Sequence, residues 1–313
     1  MSIKPKLNVT VLYTSSNQSE VIKMHWRLRT AAMFAMMTAI LVVIGTVVGA
    51  IFKSWMLGLT IMLAVSVVFN IFSYFFSKKM ALSANKVRIV TRDQEPRLYA
   101  IVENLVEKAG LPMPEVGVSD LPMPNAFATG RNPKNAAVVA TRQLMNMLND
   151  DELEGVMAHE LSHVKNRDIL VMSVASTMAS LVAYVTRIAV WSALFSDDRN
   201  GASLAIALLA DITLPIAAML IQLGVSRNRE YLADESGGRL TGKPLALANA
   251  LVKIEGGCTA STNKYDNPSY ENVWISSPFG KKATRGLTNL FRTHPSTPER
   301  IERLRALDQE LNG

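Results

Sequence analysis

His159-Glu160-Leu161-Ser162-His163 sets two imidazoles four residues apart with a carboxylate between them. On an α-helix such residues share a face, so both rings can reach one cation. Glu160 then stands beside it, able to take a proton from the water the cation activates. The chain has 4 histidines in all, and an i,i+4 pair flanking a glutamate is hard to explain as core filling. A catalytic metal needs a third protein ligand and an open corner. Glu230, in Ser226-Arg227-Asn228-Arg229-Glu230-Tyr231-Leu232-Ala233-Asp234, is the candidate. Asp234 follows one turn later on the same face, where it can accept a hydrogen bond from the far nitrogen of a ligating histidine. These residue types suit hydrolysis assisted by one divalent ion, with Zn2+, one per chain, as the expected cofactor.

The motif must sit on a helix for this geometry to hold, and its flanks supply one. Asn149 and Glu152 have capping-box spacing, Asp150 to Glu154 load the first turn with negative charge, and Leu153, Val156, Met157 and Val164 are apolar. Upstream, a helix is expected from Pro96 to Gly110, with proline at its entry and glycine at its exit. Glu115 to Val118, Asn125 to Gly130 and Ala136 to Thr141 are short, β-prone and bounded by Pro, Gly and Asn, which predicts a small sheet. Downstream, Ser226 to Leu240, Pro244 to Glu255 and Pro298 to Leu311 read as helices, with a Gly/Ser/Thr/Asn-rich loop at 256–282.

Between these two halves, and before them, the sequence turns apolar. Of 313 residues 49% are hydrophobic and 19% charged, with mean hydropathy +0.17. Ala31 to Phe52 and Trp55 to Phe76 are uncharged runs long enough to span hydrocarbon at about 1.5 Å per residue. Ile169 to Phe195 and Ala202 to Leu223 form a second apolar hairpin, interrupted by Arg187, Asp211 and Pro215. Arg187 and Asp211 could pair at membrane depth. Lys and Arg cluster before the first run and after the second, so the +7 net charge reads as a topology signal and not as a nucleic-acid footprint. The single cysteine, Cys258, excludes an intrachain disulfide.

The expected architecture is a mainly α membrane protein. Residues 1–30 form a tail, 31–76 a transmembrane hairpin, and 169–223 a second apolar hairpin as spans three and four. Residues 77–168 and 224–313 together form one cytoplasmic α+β domain with a small sheet. The site hugs the bilayer on this layout: His163 and Glu230 each lie within about 10 Å, at helical rise, of an apolar run.

Pro124-Asn125-Ala126-Phe127-Ala128-Thr129-Gly130, His159 to Asp168, Ser226 to Asp234 and Thr293-His294-Pro295-Ser296 together resemble the HtpX family of membrane-bound heat-shock zinc metalloproteases, related to the type I CAAX prenyl proteases. The likeness runs from about residue 31 to the end. It implies a zincin-like (gluzincin) fold, zinc on His159, His163 and Glu230, Glu160 as general base, and Asp234 behind the ligands. It also implies that Asn125, Ala126, Phe127 and Ala128 lie along the cleft and pair with extended substrate, a mode that reads backbone more than side chain. His294 is given two readings, a group near the metal that steadies an oxyanion and the entry turn of a helix.

The expected activity is endoproteolysis of damaged or misfolded membrane proteins, or of unfolded chains, at a plasma or inner membrane. The partners are those substrates and the lipid bilayer, without nucleic acid. A rival from another class is a membrane scaffold or transporter with an unreactive metal, which leaves Glu160 without a role. A prenyl-protease chamber would need more spans than four.

Overall fold

A computed structural model of the chain describes residues 27–28, 30–43, 46, 53–175, 227–261 and 295–313, with the backbone alone at 257–261. It divides into two compact units, Met1–Val68 and Phe69–Gly313. The expectations for the 1–26 tail, Arg187, Asp211, most of the second apolar hairpin, His294 and most of the 256–282 loop lie outside the described residues.

Two apolar helices come first, α1 (Thr30–Val43) and α2 (Trp55–Ala84). Among the described residues α2 alone is long and apolar enough to cross a bilayer, one of the four expected spans. Residues 44–45 and 47–52 of the first expected run are outside the description. α2 outlasts the predicted end at Phe76 by two further turns, carrying Lys78 to an ion pair with Glu115 at 2.7 Å. Leucine- and methionine-rich sequence with no proline gives the helix no reason to stop before Asn85, whose side chain caps the Ala81 carbonyl.

A four-stranded mixed sheet follows: β1 (Val87–Ile89), β2 (Glu115–Ser119), β3 (Ala126–Asn132) and β4 (Asn135–Thr141), in the order β1-β2-β4-β3. β1 pairs antiparallel with β2, β2 parallel with β4, and β3 antiparallel with β4. The last three match the predicted strands, while β1 was not anticipated. β3 is therefore an edge strand. The α3 helix (Pro96–Ala109) joins β1 to β2 and is ended by Gly110 in the left-handed conformation, while β3 lies in the connection between the parallel pair β2 and β4.

Both faces of the sheet are buried, and alternation sorts its residues between them, with Phe127, Ala137 and Val139 on the face away from the main core. Val116, Val118, Ala126, Ala128, Val138 and Ala140 enter the core together with Leu98, Val102 and Leu105 of α3. A short α4 (Arg142–Met147) leads into α5 (Asp150–Lys165), which carries the histidine motif and is buried from Glu152 to Val164 apart from the half-buried Glu154. The sheet, α3, α7 (Arg227–Thr241) and α8 (Pro244–Ser261) all contact α5. After it, residues 169–175 form the first turns of a helix, α6, at the start of the third apolar run. Those turns are largely buried in protein, with Ile169 part of the main core. The last helix, α9 (Thr297–Asn312), lies on α7 and α8.

Candidate active site

The position of α5 is set at its N-terminus. Asn149 Oδ1 accepts from the Glu152 amide at 2.9 Å and Glu152 Oε2 accepts from the Asn149 amide at 3.0 Å, a reciprocal pair that satisfies two otherwise orphaned donors. Arg97 of α3 reinforces the entry, donating to the carbonyls of Met145 and Leu148 at 2.6 and 2.7 Å and to Asp150 at 2.7 Å.

One turn apart on the buried helix, His159 and His163 bring their Nε2 atoms to 3.3 Å with the ring planes nearly perpendicular. Glu230 arrives from α7, its two oxygens 3.6 Å from His159 Nε2 and 3.4 Å from His163 Nε2. Tetrahedral zinc with bonds near 2.0–2.1 Å separates its donors by about 3.3 Å. The three side chains fit such an ion, and all three are buried. Glu160 is buried as well, close enough for its charge to favour the protonated forms of His163 and Arg300.

Gly237 permits this approach of α7 to α5. A Cβ there would lie 3.0 Å from the His159 amide nitrogen and 3.2 Å from the Ala158 carbonyl carbon, both backbone atoms.

Behind the imidazoles, on the side of their Nδ1 atoms, stand two carboxylates, each with its own arginine. Asp234 Oδ1 is 2.8 Å from His159 Nδ1, and Arg300 of α9 grips Asp234 with Nε at 2.8 Å and Nη2 at 2.7 Å. On the other side Asp168 Oδ2 lies 3.6 Å from His163 Nδ1, with Arg229 Nη1 3.1 Å from Oδ1. Burial disfavours the His159 imidazolium, but Asp234 and Glu230 outweigh it and push that group up to about 10. His163 moves the same way, against its burial, through Asp168 and Glu230. Burial pushes Asp234 up; Arg300 and His159 overcome it and hold the carboxyl below its ordinary range.

Asn125, Ala126, Phe127 and Ala128 lie at the start of β3, all buried. The Thr141 amide donates to the Asn125 carbonyl at 2.8 Å, so Asn125, Phe127 and Thr129 turn their backbone groups to β4. Ala126 and Ala128 turn theirs away from β4, toward the side where no described strand lies. At Gly130 that edge is closed by Ser173 of α6, whose Oγ accepts from the Gly130 amide at 3.3 Å and lies 2.8 Å from Thr129 Oγ1.

The residue pattern predicted His159, Glu160, His163, Glu230 and Asp234, and the fold brings these together. It missed Arg300, Arg229, Asp168 and Gly237 as parts of the site. A signal existed for Arg300: with Leu304 and Leu307 it makes an i, i+4, i+7 stripe, which puts a charge on the core-facing side of α9.

Comparison with known proteins gives consistent matches. The model of the family described as "Peptidase family M48" matches residues 92–308. A protein named "Protease HtpX homolog" from Pyrococcus furiosus is 44% identical over 288 residues, 90% of this chain and 96% of that protein. Another of that name, from Pelotomaculum thermopropionicum, is 41% identical over 289 residues, 90% of this chain and 98% of its own length. The crystal structure of S. mikatae Ste24p overlays with a TM-score of 0.45 and 17% identity, covering 90% of this chain and 66% of that one, too loosely to carry an argument.

Proposed function

Because the chain belongs to peptidase family M48, we propose that it is a membrane-bound zinc metalloendopeptidase that degrades damaged or misfolded membrane proteins as part of a stress response. The observation that carries this reading is the donor triangle of His159, His163 and Glu230, spaced for a tetrahedral ion, with Glu160 beside it. In this reading those three side chains hold one Zn2+. When bound, the ion polarises the scissile carbonyl and makes a water molecule acidic enough to attack near neutral pH.

The chain's own groups do the rest. Glu160 takes the proton from the attacking water on a carboxylate oxygen and returns it to the amine that leaves. Asp234 Oδ1, 2.8 Å from His159 Nδ1, backs the far side of that ring and leaves Nε2 as the nitrogen for the ion. The outward amides and carbonyls of Ala126 and Ala128 pair with an extended substrate backbone, which gives broad sequence tolerance. His294, three residues before Thr297 in sequence, is kept as a candidate for steadying the oxyanion.

The apolar surface of α2 supports membrane anchorage. We read the chain as multi-pass in a plasma or inner membrane, with 77–168 and 224–313 forming one catalytic domain on the cytoplasmic side and 169–223 as a second membrane hairpin.

The test uses the full chain purified in detergent without chelator. One zinc per chain and casein cleavage are expected, with cleavage abolished and zinc retained in Glu160→Gln. Unreactive metal and no effect of Glu160→Gln would instead favour the scaffold. Faster cleavage of a membrane-tethered unfolded substrate than of its soluble form, at equal concentration, tests the substrate class.

A further inference from the structure

Arg300 has the largest side chain among those fully buried in the described residues, at 1% exposure. An arginine there needs compensation, and it has a bidentate one: both Asp234 oxygens are engaged, at 2.8 and 2.7 Å. Asp234 Oδ1 is shared, since His159 Nδ1 lies 2.8 Å from it. The chain of contacts therefore runs from α9 through α7 to a ligand on α5.

Charge explains why this carboxylate needs its own cation. Glu160, Glu230 and Asp234 are all buried. A divalent ion balances two carboxylates, and Glu230 as ligand with Glu160 as base use up that balance. Asp234 would then be a surplus buried anion, costly in a low-dielectric interior unless a cation is fixed against it, as Arg300 is.

We infer that Arg300 is a positioning residue for the metal centre: its two-point grip fixes the Asp234 carboxylate against His159 Nδ1, so that docking of α9 completes the metal site through Asp234. This rests on reading His159, His163 and Glu230 as the ligands. Docking of α9 and metal binding share one carboxylate, so each must favour the other.

Two variants of the full chain test it. Arg300→Lys keeps the charge and loses the fork; Arg300→Met removes both. Zinc affinity, by chelator competition, is expected to fall about 10–100-fold in Arg300→Met and less in Arg300→Lys. The visible spectrum of the Co2+-loaded form should change in Arg300→Met, and kcat should fall with KM little moved. In the parent, zinc should slow amide hydrogen exchange across 300–307, a response lost in Arg300→Met. Should Arg300→Met not fold, Arg300→Lys and the exchange response of the parent decide.

Parent-like zinc affinity and Co2+ spectrum in the folded variants, or exchange in α9 indifferent to zinc, overturn the inference while leaving the protease reading intact. A parent chain that binds no metal sinks both.

Discussion

Replacing Gly237 with alanine sets two effects of opposite sign against each other. In a helix interior alanine is favoured over glycine by about 0.8–1.0 kcal/mol, so propensity alone predicts a more stable protein. Here the added methyl would meet the His159 amide nitrogen at 3.0 Å, the Ala158 carbonyl carbon at 3.2 Å and His159 Cα at 3.3 Å. Comfortable contacts begin near about 3.5 Å, so α7 must retreat from α5 by a few tenths of an ångström. The opposing atoms are backbone, and no side-chain rotation relieves the contact. Overpacking of this kind costs about 1–3 kcal/mol, which leaves a net change between about zero and 2 kcal/mol destabilising. The displacement falls on Asp234, three residues earlier on the same helix face, and a retreat of about 0.4 Å would stretch its 2.8 Å ion-pair contact with His159 to about 3.2 Å. Metal affinity should drop roughly 10-fold or more. Thermal unfolding of chelated protein and chelator competition for zinc measure the two effects. A Gly237→Ala protein that melts higher and binds zinc as tightly as the parent would refute the reasoning, because the glycine would not be what admits α7 to the ligand histidine.

Two further outcomes follow from the same geometry. Ser173→Ala removes the acceptor for the Gly130 amide and the partner of Thr129, costing about 1–3 kcal/mol and loosening the end of β3. KM for extended peptides should rise with kcat little changed, and an unchanged KM would remove β3 from substrate binding. In metal-free protein the His159 imidazolium is held up to about 10, above its unfolded value near 6.5. Its contribution to stability is fully present below about 6.5 and is lost as pH rises through about 10. The melting temperature of chelated protein should therefore fall from pH 7 to pH 10, while apparent zinc affinity rises as the competing proton leaves. A chelated protein with a flat or rising profile over that window contradicts the pairing of His159 with Asp234 and Glu230.

How much of the fold was legible depended on whether its cause was local. The start of α5 could be read because Asn149 and Glu152 answer each other across one turn, and the end of α3 because Gly110 takes a backbone conformation that side chains resist. β1 could not. Val87-Arg88-Ile89 is three residues long with a charge at its centre, and it is a strand because β2 lies beside it, with Arg88 opposite Val118. The helix at Pro244 was expected to yield at Gly256-Gly257, yet it continues to Ser261. Glycine costs about 1 kcal/mol in a helix interior, a preference that helix packing can override. Nor does strand periodicity reveal order: three β-prone stretches in sequence do not say that β4 sits between β2 and β3 with one parallel pairing.

The site divides along a different line. Residues that could hold an ion carry chemical identities that few other roles require, so His159, Glu160 and His163 were visible at once, and Glu230 with Asp234 became so once a third donor was needed. The residues that make those groups work do so by pairing charge across helices, and a buried arginine looks in sequence like any surface arginine. Arg229 and Arg300 differ from the chain's exposed arginines only in what they meet: Asp168 at 3.1 Å and Asp234 at 2.7 Å. Arg300 is buried and Arg229 half-buried, and each meets a carboxylate tens of residues away in sequence, so the signal is a distance and not a pattern. The stripe of Arg300, Leu304 and Leu307 is the exception, because an amphipathic helix that turns a guanidinium inward must have an anion waiting there. In an M48 chain read without a structure, a charge on the apolar face of the helix after the Thr-His-Pro-Ser segment is the place to look for the partner of the carboxylate behind the first ligand.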